Sequence, residues 1–183
     1  QDHPYNPAHL DTWTLLSALG ARTKRVRLLT NVLNLPLRPP AMLAKAAATL
    51  DLITGGRVEL GLGAGALWDQ VASYGGPRRS AGEAVEALEE AMQIMRRLWD
   101  AEGTVEFAGA HYQLAGAKPG PLPTRQLPIW LGALKPRMLD LTGRLADGWS
   151  ISHNWVPPEQ VPAMRATLDA AADEAGRPRD AIW

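Results

Sequence analysis

Two glycine-bearing stretches and four histidines are the parts of this 183-residue chain able to do chemistry. Gly63-Ala64-Gly65 closes the apolar run Val58–Leu62. Glycines at the end of such a run let a ligand come close to the backbone. Gly132-Ala133-Leu134-Lys135 runs directly into Pro136 and Arg137, a helix start. The N–H groups of a first helical turn have no intrahelical partner, and with Lys135 and Arg137 beside them they favour an anion. His3, His9, His111 and His153 are the side chains suited to proton transfer near neutrality. No two of them have the i, i+4 spacing of a metal pair, and cysteine is absent, so a metal centre and a thiolate nucleophile are not expected. There is no G-x-S-x-G elbow and no phosphate-binding P-loop. His111 reads as a surface residue of a hairpin. His9 lies in an opening loop, and His153 falls at a strand end, packed or solvated.

The elements that must position these groups alternate between strand and helix. Val26–Leu33 and Val58–Leu62 read as strands apolar on both faces, the pattern of a parallel sheet covered by helices. Pro128–Leu134 and Trp149–His153 are two more. Asp11 caps a helix to about Ala21, with Trp13, Leu16 and Leu19 on one face. Pro39 and Pro40 suit the first turn of a second helix, with Met42, Leu43, Ala46, Leu50 and Ile53 as its buried stripe and Gly55-Gly56 as its end. The loop Gly65–Arg79 carries Trp68 and Tyr74, aromatics placed to line a substrate pocket. Ser80 and Glu83 form a capping box for a long helix whose inner line is Val85, Leu88, Met92, Met95 and Trp99. Thr104–Phe107 and His111–Leu114 alternate in polarity and read as a β-hairpin. A Pro-rich connection covers Lys118–Leu127. Helices follow from Pro136 to about Ala146 and from about Pro158 to Ala175, the second kinked at Pro162 or starting after it. Strands alternating with helices leave an open doubly wound sheet or part of a (β/α)₈ barrel, and a full barrel needs about 250 residues.

Bulk properties narrow the class. Hydrophobic residues make up 46% and charged residues 21%, and the formal net charge is zero. That is globular composition with no charged block to recruit a nucleic acid or an anionic membrane. No run is long enough to span a bilayer and no signal peptide is present, so a cytoplasmic setting is expected. Gln1 stands where an initiator Met would, so the sequence reads as a piece of a longer one.

Three blocks, PPAMLAKAAATLD, GGRVELGLGAG and PIWLGALKPRMLDLTGRLADGW, resemble the bacterial luciferase-like superfamily of FMN- or coenzyme F420-dependent oxidoreductases. The resemblance implies an α/β fold, the (β/α)₈ TIM barrel of the luciferase-like type. This chain, as one domain over residues 1–183, would cover its central part, about strands 3 to 6, and be incomplete at both ends. It also implies roles for single residues. Asp2 and His3 match an Asp-His pair that follows the second strand, with His3 beside the redox carbon as the catalytic proton partner and Asp2 among the cofactor-binding residues. Asn31-Val32 matches a non-proline cis peptide behind the flavin ring, with the Asn31 amide at the ring edge. Gly63, Ala64 and Gly65 match the wall beside the ring. Gly132, Ala133, Leu134, Lys135 and Arg137 match the cofactor-phosphate site. The chain departs from the pattern twice. Ala66 stands where a sugar-phosphate dehydrogenase of the deazaflavin branch has a catalytic Glu, and Leu134-Lys135 replaces a frequent Gly-Gly. The expected activity is hydride transfer or oxygen insertion on a small organic substrate, with F420 or FMN as cofactor and a homo-oligomeric state. The competing readings are a non-catalytic half-barrel that binds flavin or assembles with itself, and an unrelated barrel enzyme such as an aldolase. The absence of a Schiff-base lysine on an apolar strand weighs against the aldolase.

Overall fold

Strand β3 (Val58–Gly63) is the axis of the molecule, and its two faces differ. Val58, Leu60 and Leu62 are fully buried in the core. The other face carries Glu59, Gly61 and Gly63, so the expectation of a strand apolar on both sides is corrected. Glu59 is buried there and paired with Arg27 at 2.8 Å. The computed structural model describes residues 1–178 and 180–183.

The run read as one strand over Val26–Leu33 is two short strands, β1 (Leu28–Leu29) and β2 (Leu33–Asn34). Both pair with β3 in parallel. Leu29 lies opposite Glu59 and Leu33 opposite Leu62, so four steps on one strand face three on the other. One extra residue therefore bulges out. Leu28 and Leu33 are both buried although they are an odd number of residues apart, which a regular period-2 strand does not permit. The Thr30 hydroxyl fills the broken ladder. It donates to the Gly61 carbonyl at 2.8 Å and accepts from the Gly61 N–H at 2.9 Å. A Cβ on Gly61 would lie 1.7 Å from the Thr30 carbonyl oxygen, so this close approach requires glycine. The Asn31–Val32 peptide within the bulge is cis.

Strands β6 (Ile129–Gly132) and β7 (Gly148–Ser150) complete the sheet in the order β1-β3-β6-β7, with every pairing parallel. Both are shorter than the sequence suggested. The sheet curls, because Ser150 on β7 reaches Asn31 in the bulge with an Oγ–Oδ1 hydrogen bond of 2.8 Å. The separate hairpin is β4 (Val105–Ala108) with β5 (Gln113–Ala117), antiparallel and set two or three residues later than read on its second arm. The Glu90 carboxylate pins its turn by accepting the N–H groups of Ala110, His111 and Tyr112. His111 is not a surface residue: its side chain is largely buried, with Nε2 3.5 Å from Glu86.

The helices are α1 (Thr12–Arg22), α2 (Pro40–Thr54), α3 (Trp68–Ser73), α4 (Ala81–Asp100), α5 (Pro136–Leu145) and α6 (Val161–Glu174). Apart from α3, each packs on the next in chain order, forming a layer along the aliphatic face of the sheet. The α4 line Val85, Leu88, Met92, Met95 and Trp99 is buried as read, and the Ser80–Glu83 capping box is present. Trp99 Nε1 donates to the Ala44 carbonyl at 3.0 Å, fastening α4 to α2. The α2 stripe is corrected. Met42 and Ile53 are exposed, and Ala44, Ala47 and Ala48 join Leu43 and Leu50 inside. Those alanines let α2 lie close to its neighbours, and the larger side chains misdirected the pattern. On α1, Trp13 and Leu16 pack on the core but Leu19 is exposed. α6 begins after Pro158–Gln160, a short 3₁₀ turn, which places Pro162 in its first turn. Among the described residues no helix is long and apolar enough to cross a membrane.

Candidate active site

Three strands end level with one another. Asn34, Gly63 and Gly132 are the last residues of β2, β3 and β6, and Asn34 pairs with Gly63. A cavity of about 300 Å³ opens at these carboxyl ends. Val32 lies across the two glycines. A Cβ on Gly63 would meet its Cγ2 at 2.8 Å, and one on Gly132 would meet its Cγ1 at 3.3 Å. Gly65 has φ +108° and is packed against Pro36 and Trp68, so it too cannot carry a side chain without strain. Leu33, Leu134 and Met138 complete an apolar lining that suits a flat ring.

The N-terminal segment is clamped onto this end by a buried carboxylate. Asp2 Oδ2 accepts the Asn34 N–H at 2.9 Å and Arg38 Nε at 2.8 Å, and Oδ1 accepts Arg38 Nη2 at 2.7 Å. The same Nη2 donates to Asp11 at 2.6 Å. Hydrogen bonding to Asp2 outweighs burial and holds Arg38 above its ordinary range. Burial pushes Asp11 up, but the hydrogen bonds from Arg38 and Thr14 prevail and bring it down to about 2. The clamp sets His3 at the cavity wall, with Nδ1 2.9 Å from the Tyr5 hydroxyl. Burial raises the Tyr5 pKa, the Asn34 side chain opposes it by hydrogen bonding, and the Asp2 charge adds to the rise. Asn34 is 8% exposed, lines the cavity, and its Oδ1 has no hydrogen-bond partner among the described residues.

The structure brings nine of the sequence-named residues to this cavity. They are Asp2, His3 and Val32, then Gly63, Ala64 and Gly65, then Gly132, Leu134 and Lys135. Lys135 is the N-cap of α5, which has no side-chain cap of its own. Five others lie outside the lining. The Asn31 amide oxygen is taken by Ser150. Ala133 is fully buried and its carbonyl accepts Trp149 Nε1 at 2.9 Å. Arg137 turns to Glu86, 3.1 Å away. Trp68 packs on Gly65 from the first turn of α3, and Tyr74 sits edge-on to Tyr5 with ring centres 6.4 Å apart. His9 lies tilted against His3 with ring centres 5.8 Å apart, and His153 is exposed in the turn after β7. Among the described residues no cluster could hold a metal. Sequence reasoning missed Tyr5, Asn34, Arg38 and Met138. Asn34 was signalled by a polar residue closing an apolar run. Arg38 had no local signal, since its carboxylate partner is 36 residues away. A second hollow of about 480 Å³, at the other end of the strands between Glu59, Arg125 and Trp130, contains none of the named residues.

The family model for luciferase-like monooxygenases matches residues 1–182. An F420-dependent glucose-6-phosphate dehydrogenase of Microbacterium testaceum is 35% identical over 168 residues, which is 91% of this chain and 49% of the relative. A protein of the same name from Nocardia farcinica is 33% identical over 169 residues, 91% of this chain and 50% of the relative. An F420-dependent secondary alcohol dehydrogenase, solved with an F420–acetone adduct, superposes with a TM-score of 0.89 at 25% identity, over 99% of this chain and 56% of that one. The coenzyme F420-dependent tetrahydromethanopterin reductase of Methanopyrus kandleri gives 0.85 at 25% identity, over 99% and 54%. The chain spans about half the length of the curated relatives it matches. It belongs to the luciferase-like monooxygenase family.

Proposed function

We propose that this member of the luciferase-like monooxygenase family binds coenzyme F420 or FMN and oxidises or reduces a small organic substrate. It would supply about strands 3 to 6 of a (β/α)₈ barrel, as one domain. The observation that carries the reading is the joint composition of one cavity: glycine strand ends with Val32 across them, His3, the free Oδ1 of Asn34, and Lys135 at a helix start.

The residues present fit such a cofactor. The missing Cβ atoms of Gly63 and Gly132 leave a cradle beside Val32, and a buried acceptor without a partner suits a ring-edge N–H. A volume of about 300 Å³ is at the small end for ligand pockets, enough for the ring alone. Lys135 and the uncapped start of α5 would hold the phosphate. When bound, a deazaflavin supplies or takes up a hydride, and FMN additionally supports oxygen insertion. His3 would hydrogen-bond the substrate oxygen and exchange its proton as the bond order at carbon changes. Asp2 positions His3 through Arg38 and the Asn34 N–H, with its carboxylate oxygens already engaged. Ala66 is in the cavity lining where the resemblance would place a catalytic Glu for sugar-phosphate oxidation. This favours small alcohols and ketones over sugar phosphates.

Turnover tests the reading. The protein is mixed with oxidised or reduced F420, or with FMN and a reductant, against a panel of small alcohols, ketones and sugar phosphates, following cofactor absorbance. Turnover of an alcohol or ketone is expected, and His3→Ala should lower the rate by about 10²–10⁴-fold while leaving cofactor affinity in place. An unchanged rate in His3→Ala would reduce His3 to a loop residue.

A further inference from the structure

We infer that Tyr5 is a positioning residue which fixes the tautomer of His3, presenting a proton on Nε2 to the cavity. The inference concerns the site proposed above, and its catalytic meaning rests on that reading. Tyr5 Oη lies 2.9 Å from His3 Nδ1, a hydrogen bond that either group could donate. Their chemistry settles which. A phenolic O–H is a stronger donor than a neutral imidazole N–H, and an unprotonated ring nitrogen is a stronger acceptor than a phenol oxygen. The Tyr5 hydroxyl thus directs its proton to His3 Nδ1. A neutral imidazole carries one ring proton, and with Nδ1 accepting, that proton is on Nε2.

The surroundings lock the arrangement. Asn34 is held by its backbone, its N–H donating to Asp2 and its position in β2 paired to Gly63. Tyr5 is wedged between His3, with ring centres 5.6 Å apart, and Tyr74 at 6.4 Å. Asp2 and Arg38 are paired with each other at 2.7 Å, and neither takes part in the Tyr5–His3 hydrogen bond. The consequence is chemical. In the reducing direction neutral His3 meets a substrate oxygen as a hydrogen-bond donor, so it stabilises negative charge on that oxygen as it develops. The free Asn34 Oδ1 is left as an acceptor on the same wall.

The test is the ¹⁵N spectrum of the His3 ring in the whole protein, uniformly labelled, at a pH where the ring is neutral. The inference expects one pyridine-like nitrogen at Nδ1 and one pyrrole-like nitrogen at Nε2. Tyr5→Phe should move both shifts toward the tautomer mixture of a free imidazole. A proton on Nδ1 in the native protein, or a spectrum that Tyr5→Phe leaves unchanged, overturns it. The tautomer is read without cofactor or turnover. A fixed tautomer with no rate loss in His3→Ala would therefore sink the catalytic reading of His3 while leaving the tautomer assignment standing.

Discussion

The side chain that most shapes the candidate site is Asp2, whose two carboxylate oxygens are already engaged. Buried at 3% exposure, its carboxylate ties the N-terminal segment to Arg38 and to the Asn34 N–H, and so decides where His3 lies. Asp11 shares the same guanidinium from the exposed side. Its folded pKa of about 2 lies below the value of about 3.9 for an unfolded aspartate, so the pairing stabilises above that unfolded value. That contribution is lost as pH falls through the window from about 4 to about 2. On acid titration the N-terminal segment should therefore detach in this window, before the core unfolds, visible as a change in the His3 and Tyr5 NMR signals. In Asp11→Asn this part of the pH dependence should vanish. Detachment that is unaltered by the substitution would show that Asp11 does not contribute.

The elements teach what a sequence can and cannot announce. Most of the order of strands and helices was legible because periodicity, a capping box and glycine stops are local signals, as in α4 and its five-residue inner line, but the short α3 lies in the stretch read as a loop. The shared end of β3 and β6 was legible for the same reason, since Gly63 and Gly132 close apolar runs. The bulge between β1 and β2 was not, because Thr30 makes good the missing ladder bonds with Gly61, 31 residues away. Nor was the diversion of Arg137 to Glu86, or of the Asn31 amide to Ser150, both long-range pairings. Thr30 is 2% exposed and its hydroxyl both gives and accepts a hydrogen bond. Thr30→Val keeps its shape and should cost about 1–3 kcal/mol, because the Gly61 N–H and carbonyl lose their partner. A urea titration reads this as a lower midpoint at unchanged slope. An unshifted midpoint would show that the ladder reforms without the hydroxyl.

On the scale of the whole molecule, the sheet has two edges, β1 and β7, and one is bordered by bare apolar surface. Leu10, Leu15, Leu19, Val26 and Leu29 are all exposed around α1 and β1. Such an edge invites pairing, which is the observation behind the alternative of a self-assembling half-barrel. The isolated chain should therefore scatter light as a dimer or larger, and a stable species at 19.8 kDa would contradict this. Assembly and cofactor binding are compatible, because the cavity at Gly63 and Gly132 is lined without the residues of that edge. The central claim is that this cavity binds a deazaflavin or flavin, and fluorescence titration of the purified protein with F420 and with FMN tests it most directly. Saturable binding of at least one is predicted. Lys135→Glu should weaken it by about 1–3 kcal/mol, roughly 5- to 150-fold, because a charge-assisted phosphate contact becomes a repulsion. Failure of both cofactors to bind, or binding indifferent to Lys135→Glu and to salt, would contradict the account.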